Sequence, residues 1–176
     1  YVKFTGSFGE PKLILQMHIT CSDGTSSVVS TDGTWKVSPG PVTFSCTYGG
    51  EDYDATREIW GWSAPRFDDS AWASAEVVDG PGGALVARVS QPIKAHHRYK
   101  PVSVTEVGAG VKVYDLAQNM SGLPVLRVTG PAGSRVKITP NETWSGSGPI
   151  QPWLPVSFTY TLKGKGVETW RPRFTY

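Results

Sequence analysis

The feature that most constrains the fold is a series of short runs, rich in β-branched or alternating apolar residues, separated by turn residues. Runs of about four to eight such residues, bounded by Gly, Pro, Asp or Ser, are typical of β-strands joined by tight turns. Eight runs fit this pattern, at 12–20, 26–30, 42–48, 102–106, 110–115, 125–129, 135–139 and 157–163. The sequence therefore predicts an all-β protein with two β-sandwich (jelly-roll-like) domains.

A domain boundary is expected at 79–83, where the sequence DGPGG interrupts the strand pattern and a new series of strands follows. This divides the chain into domains 1–82 and 83–176. Because the first part contains only a few convincing strands, we expect it to be an incomplete sandwich.

Charge and hydropathy exclude two classes of partner. The chain carries 17 basic and 15 acidic residues, a net charge of +2, with no polybasic block. We therefore expect no nucleic-acid partner, and no membrane partner because no apolar run is long enough to span a bilayer. Cys21 and Cys46 are either two buried thiols or one disulfide. A secreted or periplasmic location is expected, with the cytoplasm as the alternative.

The segment 49–72, GGEDYDATREIWGWSAPRFDDSAW, combines six carboxylates with three tryptophans in loop-like sequence. Neutral sugars bind to aromatic faces and to carboxylates that accept hydroxyl protons or hold a bridging Ca²⁺. We therefore nominate Glu51, Asp52 and Asp54 as sugar and Ca²⁺ ligands, and Trp60 or Trp62 as a stacking surface. The alternative is that the carboxylates lock a loop and the indoles lie in the core.

Several motifs resemble those of one family in order and spacing. They are LILQMHI at 13–19, SDGT at 22–25, GEDYDA at 50–55, FDDS at 67–70, VYDLAQNMSG at 113–122 and WRPRFTY at 170–176. The chain resembles the N-terminal β-domains of α-L-rhamnosidases of the glycoside hydrolase 78 type over almost its whole length. In this family a glycine is usual where this chain has Ala117, so any requirement for a positive φ there is either relaxed or met by the residue present.

The resemblance implies a modular enzyme in which β-sandwiches precede an (α/α)6 catalytic barrel. Such enzymes hydrolyse terminal α-L-rhamnose with inversion, using two glutamates on the barrel, and neither glutamate is in this chain. We therefore expect no catalytic residues here, and the expected partners are rhamnose-containing glycans or glycosides and the remainder of the parent chain.

Three functional hypotheses remain open. The first is a non-catalytic β-sandwich portion that supports the barrel and adds sugar binding. The second is a stand-alone Ca²⁺-dependent rhamnose-binding module. The third is the equivalent region of a lyase that acts at rhamnosyl linkages.

Overall fold

The computed structural model describes residues 12–80, 82–84, 86–87, 89–147 and 156–173. These residues form twelve strands and one 3-10 turn, at Ala55–Arg57. The strands are β1 (Gln16–Thr20), β2 (Ser26–Ser30), β3 (Lys36–Val37), β4 (Val42–Cys46), β5 (Gly50–Asp54), β6 (Ala73–Ser74), β7 (Ser103–Gly108), β8 (Val111–Asp115), β9 (Leu126–Val128), β10 (Arg135–Ile138), β11 (Ser157–Thr161) and β12 (Glu168–Trp170). The predicted all-β class is confirmed, and each of the eight predicted runs overlaps a strand.

The chain forms two compact units that interleave along the sequence. Among the described residues, the larger unit combines those of 41–58 with those after residue 90, and the smaller unit combines those up to residue 40 with those of 59–90. The division into domains 1–82 and 83–176 stays a prediction. No helix in the described part of the chain is long and apolar enough to cross a membrane.

In the larger unit, four strands form one mixed sheet in the order β10–β11–β5–β4. The central strand β5 pairs in parallel with β11 and antiparallel with β4. Two further antiparallel pairs, β7–β8 and β9–β12, belong to the same unit. The acidic sequence at 50–54, interpreted above as part of a loop, is therefore the interior of a sheet.

The core of the larger unit lies against β11. Its buried apolar side chains are Ala55, Phe158, Tyr160, Leu162 and Trp170. Among the described residues, every buried side chain belongs to this unit. Burial of large aromatic and aliphatic side chains is the main source of stability, so we expect this unit to be the more stable of the two.

The smaller unit contains two strand pairs, β1–β2 and β3–β6. Asx turns precede β2 and β3: the Asp23 and Asp32 carboxylates each accept the N–H of the threonine two residues later, at 2.9 and 2.8 Å. The side-chain and backbone bonds from Thr25 and Thr34 hold the pKa of both carboxyls below its ordinary value. These short-range bonds fix the turns that join the strands.

The turn after β8 retains a left-handed conformation at a non-glycine residue. Ala117 has a φ of 67°, and its N–H donates to the Asp115 carboxylate at 2.7 Å. Of the two alternatives, the second applies: the positive φ is retained, and an alanine adopts it. An alanine in this conformation costs about 1 kcal/mol relative to glycine, and the bond to Asp115 helps to hold the turn.

Candidate functional site

The two halves of the predicted sugar-binding segment lie in different compact units. Glu51, Asp52 and Asp54 lie on β5 in the larger unit, whereas Trp60 and Trp62 belong to the smaller unit. The carboxylates and the indoles therefore have separate structural surroundings.

Glu51 is a buried residue with a cationic partner. Its side chain is 1% exposed, and its Oε2 accepts a bond from Arg173 Nε at 2.6 Å. A carboxylate removed from water is tolerated when a guanidinium satisfies it. This geometry gives Glu51 a structural role in joining β5 to the residues after β12, and the sugar and Ca²⁺ roles nominated for it stay predictions.

The other two carboxylates follow the alternation of the strand. Side chains of consecutive strand residues point to opposite faces, so Asp52 and Asp54 lie on the face opposite Glu51. Asp54 caps the 3-10 turn, because its Oδ1 accepts Thr56 N–H at 3.0 Å and Thr56 Oγ1–H at 2.6 Å. This is the Asp-x-Thr arrangement also found at Asp23 and Asp32, and it favours the locked-loop interpretation for Asp54.

Trp60 and Trp62 are surface residues. Their side chains are 78% and 64% exposed, and the glycine between them has a φ of 75°. The alternative that both indoles lie in the core is therefore wrong. Exposed indoles offer flat apolar faces on which the C–H groups of a sugar can stack.

A Ca²⁺ site on β5 stays a prediction. Within the described ranges, no group of three or more His, Cys, Asp or Glu side chains is arranged to hold a metal ion. Ca²⁺ requires six to eight oxygen ligands converging on one point, and adjacent strand residues diverge.

A polar network around Tyr53 was missed by sequence reasoning. Glu58 Oε1 accepts a bond from Tyr53 Oη–H at 3.0 Å, and Glu58 Oε2 accepts one from Lys163 Nζ at 2.8 Å. Burial, followed by the bond to Glu58, raises the pKa of Tyr53 to about 12. The phenol therefore stays a neutral donor at physiological pH. Lys163 lies 105 residues from Glu58, so no local pattern indicates the pair.

A second network surrounds the buried carboxylate of Glu168. Its Oε2 accepts Tyr160 Oη–H at 2.8 Å and Lys163 N–H at 3.0 Å, and its Oε1 accepts Gly164 N–H at 2.8 Å. Burial raises the pKa of Glu168, but these hydrogen bonds outweigh burial and hold the pKa below its ordinary value of 4.5. Burial and the bond to Glu168 raise the pKa of Tyr160. Glu168 thus binds the turn after β11 to the core.

These networks have structural rather than catalytic geometry. General acid catalysis by a carboxylic acid at neutral pH needs a raised pKa, whereas the pKa of Glu168 is lowered. Glu51 and Glu58 are each bound to a cation of the same unit. Together the three glutamates hold strands and turns in place.

Family comparisons match nearly the whole chain. Residues 2–97 match the family model described as the alpha-L-rhamnosidase N-terminal domain. Residues 105–176 match the bacterial alpha-L-rhamnosidase concanavalin-like domain.

The curated relatives that match this chain are also alpha-L-rhamnosidases. An alpha-L-rhamnosidase of Streptomyces avermitilis is 38% identical over 175 residues, which is 96% of this chain and 17% of the relative. One from an Alteromonas species is 34% identical over 140 residues, 78% of this chain and 15% of the relative. The chain thus spans less than a fifth of the length of these relatives.

Solved structures are similar in fold. The crystal structure of the Streptomyces avermitilis alpha-L-rhamnosidase complexed with L-rhamnose has a TM-score of 0.86 and 36% identity, covering 93% of this chain and 16% of that one. The structure of the alpha-L-rhamnosidase of Dictyoglumus thermophilum also has a TM-score of 0.86. It is 31% identical, and the match covers 93% of this chain and 19% of that one. The predicted resemblance is confirmed: the chain belongs to the α-L-rhamnosidase family and corresponds to its N-terminal and concanavalin-like non-catalytic domains.

Proposed function

We propose that this chain is the non-catalytic β-sandwich portion of an enzyme that hydrolyses terminal α-L-rhamnose from glycans or glycosides. Its function is to pack against the remainder of the parent chain and to support the catalytic part. The observation that carries this proposal is the exposure of apolar strand faces in both compact units.

The first such face is an apolar stripe on the smaller unit. It contains Met17 and Ile19 on β1, Val29 directly opposite Met17 on β2, and Leu13 and Leu15 in the segment directly before β1. Residues two apart on a strand share a face, and partners in an antiparallel pair share it too. All five side chains are exposed. An alternating strand normally buries its apolar face, so this stripe fits a surface that another part of the protein covers.

The β7–β8 hairpin in the larger unit presents a second apolar face. Val104 pairs with Tyr114, and Val102 and Leu116 lie directly before β7 and directly after β8. All four side chains are exposed. A two-stranded hairpin is marginally stable in water unless its apolar face packs on another element, which supports the same role for this surface.

Sugar binding is the second candidate function, and the exposure of Trp60 and Trp62 favours it. Two indoles separated by one glycine place apolar aromatic surface in solvent, where a monosaccharide could stack. This candidate gives the smaller unit a binding role in addition to a structural one.

Replacing Met17 with lysine tests the packing proposal. We expect Met17→Lys to reduce binding of a hydrophobic dye and self-association of the isolated chain, because a charge interrupts the apolar stripe. The free energy of unfolding should change by less than about 0.5 kcal/mol, since Met17 is already 48% exposed. Dye fluorescence, light scattering and urea unfolding measure these quantities.

The matched control is Gln16→Lys, which adds the same charge on the opposite face of β1. It should leave dye binding and self-association unchanged. If the unmodified chain binds no dye and stays monomeric, or if Met17→Lys unfolds the protein, the stripe is not a free packing surface and the proposal is wrong.

A further inference from the structure

A strand from the N-terminal family region lies inside the sheet of the concanavalin-like region. β5 pairs with β11 from Gly50 opposite Ser157 to Asp54 opposite Thr161. Ser157 N–H also donates to the Gly49 carbonyl at 3.2 Å. Residues 41–58 accordingly belong to the same compact unit as the residues after 90.

Charged side chains join the same two regions. Arg173 binds the buried Glu51 carboxylate, 122 residues away, and its Nη2 donates to Ser45 Oγ at 3.2 Å. Lys163 binds Glu58 at 2.8 Å. The region 105–176 thus contributes the cations and the segment 41–58 contributes the carboxylates, so the two surfaces are complementary in charge.

Aromatic side chains from both regions stack in one core. The Tyr53 ring lies 5.8 Å from Tyr160 and 6.0 Å from Trp170, and Tyr160 lies 5.3 Å from Trp170. Stacked aromatic pairs stabilise by more than the area they bury. Ala55, at the end of β5, is buried in the same core.

We infer that the concanavalin-like region contains a docking groove for an acidic and aromatic strand, and that residues 41–58 are its occupant. The groove consists of the β11 edge, Lys163, Trp170 and Arg173. It recognises a strand by main-chain pairing, by carboxylates at positions 51 and 58, and by a tyrosine at position 53, as in other β-strand additions. Residues 41–58 of the N-terminal family region therefore fold as part of the same compact unit as the concanavalin-like region, although the two family models are separate.

The test uses the full chain with a specific protease site inserted after Lys100, in an exposed segment between the two matched regions. After cleavage, we expect the two pieces to elute together in gel filtration at micromolar concentration. Separation of the pieces without denaturant would overturn the inference, because the groove would then not hold its strand.

Charge reversal at Glu51 separates specific docking from general association. In the cleaved protein, Glu51→Lys should weaken the affinity between the pieces by at least about 100-fold, because it sets a buried cation against Arg173. The control Glu106→Lys makes the same charge change at an exposed position on β7 and should leave the affinity unchanged. Equal affinities of the two variants would overturn the assignment of the groove.

Discussion

Replacing Gly50 with alanine is expected to lower the free energy of unfolding by about 4 kcal/mol or more, the largest effect of any single substitution considered. Gly50 has a φ of 90°, and an added Cβ would stand 2.8 Å from the Ser157 carbonyl carbon and closer still to its oxygen. That oxygen belongs to the backbone of β11 and cannot move without separating β5 from β11. Urea unfolding followed by tryptophan fluorescence measures the change.

The control for this substitution is Gly133→Ala in the same unit. Gly133 has a φ of 81°, but a Cβ there would meet no atom within 4 Å. Gly133→Ala should therefore lower the free energy of unfolding by only about 1 kcal/mol, the cost of an alanine in the left-handed conformation. If both substitutions cost the same, β5 does not approach β11 as closely as described.

Replacing Glu168 with glutamine should cost about 3 kcal/mol at neutral pH, because the buried carboxylate accepts three hydrogen bonds and an amide has only one acceptor oxygen. The effect should depend on pH. Because the folded-state pKa of Glu168 is below its ordinary value of 4.5, its contribution is complete above that value and is lost as the pH falls through the folded-state pKa.

The measurement is the free energy of unfolding of both proteins between pH 7 and pH 3. The difference between them should be largest at neutral pH and should shrink in acid. The control Glu106→Gln removes an exposed carboxylate and should change stability by less than about 0.5 kcal/mol. A constant difference at every pH would mean that the Glu168 charge is not what stabilises the turn.

Strands with a local apolar pattern could be predicted from the sequence, and β5 could not. The residues GEDYD lack apolar alternation, and besides β4 the strand has β11 as a parallel partner more than 100 residues later. Local propensity contains no information about such a pairing. The motif-based resemblance, in contrast, identified the family because it rests on residue order along the chain.

The candidate site shows the same distinction. The turn-locking role of Asp54 follows from a threonine two residues away, so the sequence alone predicts a locked loop as one alternative. Glu51 is buried and its partner Arg173 lies 122 residues away, so no local pattern distinguishes it from a solvent-facing ligand. The exposure of Trp60 and Trp62 depends on packing in the smaller unit, which the sequence left open.

Calorimetric titration of the folded chain with L-rhamnose, in Ca²⁺ and again in a chelator, tests most directly whether this region only supports a larger enzyme or also binds sugar itself. A role in packing alone predicts no heat of binding in either condition, with circular dichroism confirming that the protein is folded. A saturable heat of binding that Trp60→Ala or Trp62→Ala abolishes, while circular dichroism stays unchanged, would contradict a role in packing alone and establish the smaller unit as a sugar-binding module.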